Sequence, residues 1–286
     1  MSHPSTPKGW ATKISDLLDA TLGTERFPVD VIGIAQEYSK NVFPDEPIAA
    51  VLSQDLPGFE GALFRMPANK KGWAIFYNDK IVSKGRINFT LAHEFGHYLI
   101  HRLDFPEGIQ CSDQDIVRWD SEYGQIEHQA NVFAANLLMP FKDFRAQIPA
   151  KATVNYDMLS HCANRYGVSL MATISQWLQY TAKRAVLVVS RDGFISWSRS
   201  SKSALKTKAF FRAAKETIEI PSQALPLHPD LLTDGRGTIN HPPGVWFNEE
   251  VQEIVVLADR YDFAISLLLL EDLSTIDWPE DEEIFF

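Results

Sequence analysis

Two histidines and a glutamate form the pattern H-E-x-x-H at His93, Glu94 and His97. If residues 85–102 form a helix, residues four apart lie one turn apart on nearly the same side, so the two histidines can direct imidazole nitrogens at one point. The carboxylate of Glu94 is turned aside from that line but stays close enough to hold a water molecule. The pattern is therefore typical of a site in which two histidines bind zinc and the glutamate acts as a general base.

The residues around this pattern predict a helix that is buried within a domain, because apolar side chains occupy almost its whole circumference. Buried histidines and a buried carboxylate need partners, and a metal ion would serve all three groups. Gly96 lies on the same face as His93, where another element could pack closely. The alternative is that the histidines are core residues that form hydrogen bonds and bind no metal. The apolar residues are Phe89, Leu91, Ala92, Phe95, Tyr98, Leu99 and Ile100.

A catalytic zinc site needs a third protein ligand and leaves its fourth position to water. Ile100 and Leu103 stand where a metzincin-type chain has a glycine and a histidine, which excludes that subclass. Glu127 is the best candidate, because it opens a second run with apolar helical spacing that stops at Pro140. Asn131 lies one turn further on the same face and is placed to hydrogen-bond a ligand.

Several assignments around this site stay open. Asp120 or Glu122, in the acidic stretch before Glu127, could replace it as the third ligand. His101 lies two turns beyond His93, about 12 Å along the helix axis, so both cannot bind one ion. His101 either hydrogen-bonds a ligand or is merely the last residue of the helix. The candidates for stabilising an oxyanion are Tyr98, Arg86 and His101.

Two segments together resemble the ImmA/IrrE family of bacterial and phage metallopeptidases. They are TLAHEFGHYLIH at residues 90–101 and EHQANVFAANLLMP at residues 127–140. The resemblance is specific over about residues 28–140 and extends more weakly to about residue 182.

In that family the two histidines and the second-helix glutamate hold zinc. The resemblance therefore implies zinc ligands at His93, His97 and Glu127, and a catalytic base at Glu94. Because characterised members cleave helix-turn-helix repressors, it also implies a protein substrate of that kind or an antitoxin-type partner. The alternative function is a zinc-containing regulatory or toxin-like protein that acts by contact without proteolysis.

The pattern along residues 1–150 predicts a zincin-like metallopeptidase domain of the α+β class, with a small sheet packed on the H-E-x-x-H helix. We expect the strand at residues 73–78 to be an edge strand that receives the substrate. Helices are predicted at residues 10–22 and 28–40, and strands at residues 48–52, 61–66 and 73–78.

The sequence pattern of residues 151–183 predicts a helix-turn-helix-like segment, with helices at residues 158–166 and 170–180. The second of these helices contains no Lys or Arg, although phosphate contacts dominate DNA affinity. Gln176 and Gln179 could read bases, but a packing role is favoured and direct nucleic-acid binding is not expected.

Residues 184–286 predict a smaller α+β region, which could serve as a sensor or interaction domain. Its strongest signal is a hairpin at residues 185–199, turning at Arg191-Asp-Gly193. A helix is predicted at residues 205–215, followed by an irregular connection at residues 221–243 that contains His228 and His241. Strand-like or short helical segments are predicted at residues 244–247, 253–258 and 263–270. An acidic tail begins at residue 277.

Composition limits the classes of protein to which the chain can belong. Its 286 residues carry 27 basic and 37 acidic side chains, a formal charge of −10 that disfavours a surface devoted to nucleic acid. Two cysteines cannot build a disulfide framework. No signal peptide is recognised, and the apolar run at residues 267–270 is far shorter than the roughly 20 residues of a membrane helix. These features predict a soluble cytoplasmic protein.

Overall fold

The computed structural model describes residues 3–112, 122–258 and 262–272, and it has a mixed α+β structure. Contacts within the chain divide it into two compact units. The first consists of Met1–Ile148 and Tyr156–Gln176, and the second of Pro149–Asn155 and Trp177–Phe286. The division into three domains at residues 150 and 183 stays a prediction.

The first unit contains a small sheet and most of the helices. Each helix and strand predicted up to residue 180 is present, with ends that differ by a few residues. The helices are α1 (Pro7–Leu22), α2 (Val31–Val42), α3 (Lys84–His101), α4 (Glu122–Leu138), α5 (Phe141–Gln147), α6 (Tyr156–Tyr166) and α7 (Leu170–Leu178), and the strands are β1 (Ile48–Gln54), β2 (Phe59–Arg65), β3 (Trp73–Asn78) and β4 (Gly108–Ser112).

The sheet of the first unit has the strand order β1-β3-β2-β4, and α3 packs against β2 and β3. β1 and β3 are parallel, whereas β2 is antiparallel to both β3 and β4. β3 is hydrogen-bonded on both sides, so the prediction that it is an edge strand is wrong. In the described part of this four-stranded sheet, the strands paired on one side only are β1 and β4.

α3 begins and ends with defined caps. The Ser83 hydroxyl accepts a hydrogen bond from the backbone N–H of Arg86 at 3.4 Å, as an N-cap residue does. At the other end, the guanidinium of Arg102 donates to the carbonyl of Tyr98 at 3.1 Å. Both ends of the helix that carries the two histidines therefore have backbone groups satisfied by side chains.

α3 and α4 pack closely at Gly96, as predicted from the sequence. A Cβ atom at residue 96 would lie 2.9 Å from Cδ1 of Phe133 and 3.3 Å from Cα of Ala130. Phe133 and Ala130 are fully buried. Glycine thus allows the two helices to approach at a distance that a larger residue would prevent.

α6 and α7 are joined by a turn in which Gly167 has a φ of +59°. Gln176 is 1% exposed, and its side-chain amide donates to the carbonyl of Met139 at 2.8 Å. Its suggested role in reading bases is therefore wrong. The carboxylate of Asp143 accepts from the guanidinium of Arg165 at 2.8 Å, which ties α5 to α6. These contacts support the packing role of the helix pair.

The second unit contains a five-stranded antiparallel sheet with the order β6-β5-β9-β8-β7. The predicted hairpin is confirmed, and Asp192 and Gly193 at its turn have positive φ values of 52° and 81°. The elements are β5 (Ala185–Arg191), β6 (Phe194–Ser200), α8 (Lys202–Lys206), β7 (Arg236–His241), β8 (Val251–Ala258) and β9 (Phe263–Leu270), with two short 3₁₀ helices at Leu225–Leu227 and Pro229–Leu231.

Three predictions for this unit were wrong. In place of the helix expected at residues 205–215, the chain forms the shorter α8, which ends at Lys206. Lys208, two residues later, has a positive φ of 62°, which is incompatible with a continuing α-helix. The connection at residues 221–243 contains β7, and residues 244–247 form no strand or helix. β7 escaped prediction because its sequence, RGTINH, is mostly polar, in keeping with a largely exposed strand. The predicted acidic tail from residue 277 lies outside the described residues.

His241 is also not the loop residue that was expected. It ends β7, is 4% exposed, and its Nε2 lies 2.7 Å from Oε2 of the fully buried Glu253. The hydroxyl of Ser266 donates to the other oxygen of Glu253 at 2.8 Å. The serine and the histidine contact the carboxylate rather than each other, so these groups form a structural network across β7, β8 and β9.

No helix in the described ranges is both long enough and apolar enough to span a lipid bilayer.

Replacement of Gly96 by valine should destabilise the protein. The new side chain must push Phe133 and the backbone of α4 away, and overpacking of this kind typically costs about 1–3 kcal/mol. The free energy of unfolding, measured by urea denaturation, should fall by that amount in G96V.

The double variant G96V/F133A provides the control. Because alanine removes the Cδ1 atom that the new side chain meets, the double variant should lose less stability than the sum of the two single variants. Strict additivity, or a G96V protein as stable as the wild type, would show that the two helices are not tightly packed at this point.

Candidate metal centre

The structure brings His93, His97 and Glu127 together. Nε2 of His93 lies 3.1 Å from Oε2 of Glu127, and Nε2 of His97 lies 3.3 Å from Oε1 of the same carboxylate. The two Nε2 atoms are 2.9 Å apart. Ligands bound tetrahedrally at the usual zinc distances are separated by about 3.3 Å, so the three groups converge on a site of suitable size.

Within the residues that the structure describes, these three form the one group of His, Cys, Asp or Glu with metal-binding geometry. α3 supplies the two histidines and α4 supplies the glutamate. Asp120 and the side chain of Glu122, the alternative third ligands, lie outside the described part of the chain.

The site is almost closed to solvent. The exposed fraction is 7% for His93, 3% for Glu127 and 0% for both His97 and Glu94. Burial lowers the pKa of His97 to about 3. Burial by itself would raise the pKa of Glu127, but hydrogen bonds to the two histidines outweigh it and hold this pKa well below its usual range. Near neutral pH, therefore, His97 is neutral and Glu127 is ionised, as metal ligands must be.

His93 differs from His97 in the direction in which its pKa is shifted. Burial opposes its protonation, but the contacts with Glu127 and Glu94 and the hydrogen bond to Asn131 raise its pKa above the ordinary value. Because a histidine must be deprotonated at the nitrogen that binds a metal, metal affinity should rise with pH through the pKa of His93.

Asn131 holds the ring of His93 from α4. Its Oδ1 lies 2.9 Å from Nδ1 of His93, so the ring N–H donates to the amide oxygen and Nε2 points to Glu127. Asn131 therefore hydrogen-bonds His93, one of the predicted ligands. The spacing of four residues on α4 places Asn131 and Glu127 on one side of the helix.

His101 contacts His97, one of the predicted ligands, and is not merely helix-terminal. Its Nδ1 lies 3.0 Å from Nδ1 of His97, and its Nε2 lies 3.3 Å from Oε1 of Gln129. Sequence reasoning missed Gln129, because it lies only two residues from Glu127 and its spacing carries no ligand signal. Its role depends on how α3 and α4 are aligned.

Glu94 lies against β2 at Gly61. A Cβ atom at residue 61 would lie 2.6 Å from Oε1 of Glu94 and 2.6 Å from Cγ2 of Thr90, which are closer than atoms can pack. The sequence analysis did not single out Gly61, although a glycine inside a strand is a recognised signal of close approach by another group. The missing side chain of Gly61 makes the space that the carboxylate of Glu94 occupies.

The three candidates for oxyanion stabilisation have different surroundings. The hydroxyl of Tyr98 is buried and donates to the carbonyl of Glu46 at 2.7 Å, and both ring nitrogens of His101 are engaged as described above. Tyr98 and His101 are therefore wrong as oxyanion donors. Arg86 pairs with Glu60, and 39% of its side chain is exposed. Its role stays a prediction.

A comparison with known protein families found a match to the part of the chain that carries the candidate site. The model of the IrrE N-terminal-like domain, Peptidase_M78, matches residues 45–176, which include the whole four-stranded sheet, α3 and α4. A search of curated proteins found no match. The family match agrees with the resemblance carried by the two helical segments. The match therefore supports the assignment of residues 45–176 to the Peptidase_M78 family.

Proposed function

We propose that this protein is a zinc-dependent endopeptidase. His93, His97 and Glu127 hold the metal, and Glu94 is the general base. The observation that carries the proposal is the convergence of the two imidazole Nε2 atoms, 2.9 Å apart, on the carboxylate of Glu127, whose two oxygens lie 3.1 and 3.3 Å from them. The site is buried, and a glutamate follows the first histidine directly.

The donor set fits a catalytic zinc ion. Two imidazole nitrogens and one carboxylate are the protein ligands of one well-known class of zinc peptidase, whereas structural zinc is usually closed by four protein ligands that include cysteine. The group has three members within the described residues. This count supports a site whose fourth position is open to water.

When bound, zinc lowers the pKa of water from 15.7 to about 7 and polarises a carbonyl group. Glu94 accepts the proton of the attacking water on a carboxylate oxygen and then transfers it to the nitrogen of the departing amine. Such proton transfer is worth roughly 10²- to 10⁴-fold in rate. Asn131 holds the ring of His93 in place, and Gly61 leaves the space in which Glu94 lies.

The substrate class that we propose is a helix-turn-helix repressor or an antitoxin-type partner. Its support is the resemblance of the two helical segments to the ImmA/IrrE family. An extended segment of such a substrate could add to the sheet at β4, which pairs with β2 only on one side in the described chain. Gly61 of β2 is paired with Cys111 of β4. β4 therefore lies directly beside the strand whose Gly61 contacts Glu94.

Replacement of Glu94 by glutamine should separate metal binding from catalysis. E94Q should retain zinc, because Glu94 is not a ligand, and should cleave at least about 100-fold more slowly, because it has lost the base. Zinc content can be measured by elemental mass spectrometry, and cleavage by incubation with the helix-turn-helix repressor encoded beside the gene, with and without a chelator.

The matched variants H93A, H97A and E127A should lose both zinc and cleavage. If E94Q cleaves at the wild-type rate, Glu94 is not the base. If the wild-type protein binds zinc but cleaves neither the repressor nor a proteome-derived peptide library, the alternative of a zinc-containing binding protein is favoured.

Replacement of Gly61 by alanine should reduce cleavage without removing zinc. The new methyl group must displace the carboxylate of Glu94, and a misplacement of about 1 Å in a catalytic group can cost about 10²-fold in rate. Zinc affinity should stay within a few-fold of the wild type, since no ligand contacts residue 61.

The double variant G61A/T90S separates catalytic from structural effects. Serine removes the Cγ2 atom that the new methyl group also meets, so the double variant should regain stability but not cleavage. Recovery of both would mean that G61A acts through the fold and not through Glu94.

A further inference from the structure

We infer that His101 and Gln129 are positioning residues, which hold His97 in the tautomer with a proton on Nδ1 and so keep its Nε2 unprotonated, as metal binding requires. The inference rests on the proposed function, because it gives these two residues a purpose only if His97 is a metal ligand. They form a chain from α3 to α4 that runs His97, His101, Gln129.

The direction of each hydrogen bond follows from the atoms in contact. A neutral imidazole has one donor and one acceptor nitrogen. Oε1 of Gln129 can only accept, so Nε2 of His101 carries the proton and its Nδ1 is the acceptor. The Nδ1 of His97, 3.0 Å away, must then be the donor. The remaining nitrogen of His97, Nε2, is then the unprotonated one, and it faces Glu127 and Nε2 of His93.

His93 obeys the same rule through a different partner. Oδ1 of Asn131 accepts from its Nδ1 and leaves Nε2 directed at the same carboxylate. Both histidines therefore rely on an amide oxygen of α4, reached directly in one case and through His101 in the other. Alternate residues of α4, Glu127, Gln129 and Asn131, provide one ligand and both anchors.

Burial makes these contacts hard to replace. His101 is 4% exposed and His97 is fully buried, so bulk water has little access to the N–H group of His97 if its acceptor is removed. A buried donor without an acceptor costs more than the hydrogen bond itself contributes. Loss of the acceptor should therefore let the ring of His97 change its tautomer or rotate, and either change weakens metal binding.

The test compares three full-length variants. H101L removes the acceptor, whereas in H101N the amide oxygen takes the place of Nδ1. Y98F is the matched control, because Tyr98 is equally buried on α3 and loses a hydrogen bond to Glu46 that does not involve a ligand. Zinc dissociation constants are measured by competition with a chromophoric chelator, and unfolding of the metal-free proteins by urea.

H101L should bind zinc 10- to 100-fold more weakly than the wild type, the usual effect of removing a partner of a ligand. H101N and Y98F should stay within a few-fold. If H101L does not fold, Q129L should give the same loss, while Q129E, which can still accept, should not. An effect of H101L no larger than that of Y98F, or no rescue in H101N, would overturn the inference.

Nitrogen-15 NMR of the metal-free wild type reads the tautomer without any zinc. We expect a protonated Nδ1 on His97 in the wild type and a mixture of tautomers in H101L. A wild-type His97 protonated on Nε2 alone would overturn the inference even if zinc binds. A wild-type protein that binds no zinc would overturn the proposed function, and the NMR spectrum would still decide the tautomer.

Discussion

The close approach of α3 and α4 at Gly96 is the contact on which the candidate site depends. The absence of a side chain there lets Ala130 and Phe133 pack against α3. Glu127 lies one turn before Ala130, so the same contact brings its carboxylate within 3.3 Å of both imidazoles. A wider separation of the helices would leave two histidines and a glutamate buried without a common point.

Burial then decides the chemistry. Glu94 and Glu127 are both acidic and nearly inaccessible to solvent, and an ionised carboxylate in an apolar interior is costly unless it is paired. The histidines offset part of that cost. A divalent cation bound between them would offset much more, and it would use the protonation states that His97 and Glu127 already have near neutral pH.

The position of Glu94 supports the proposed catalytic role over a purely structural metal site. A structural ion needs no base, yet Glu94 lies in a space that the strand β2 provides only because residue 61 is glycine. The second unit contributes no residue to this argument. Its buried network around Glu253 stabilises its own sheet, and a role for that unit as a sensor or interaction domain stays a prediction.

The sequence alone determined the residues that act locally. His93, Glu94 and His97 were predictable because helical periodicity fixes their directions, and Asn131 because it follows Glu127 by one turn. The α+β class and the family followed from the same motifs. Only the tertiary structure decided which strands form the sheet edges, that Gln129 and Gly61 belong to the site, and that β7 is a strand. These features depend on contacts between segments distant in sequence, and local periodicity carries no information about such contacts.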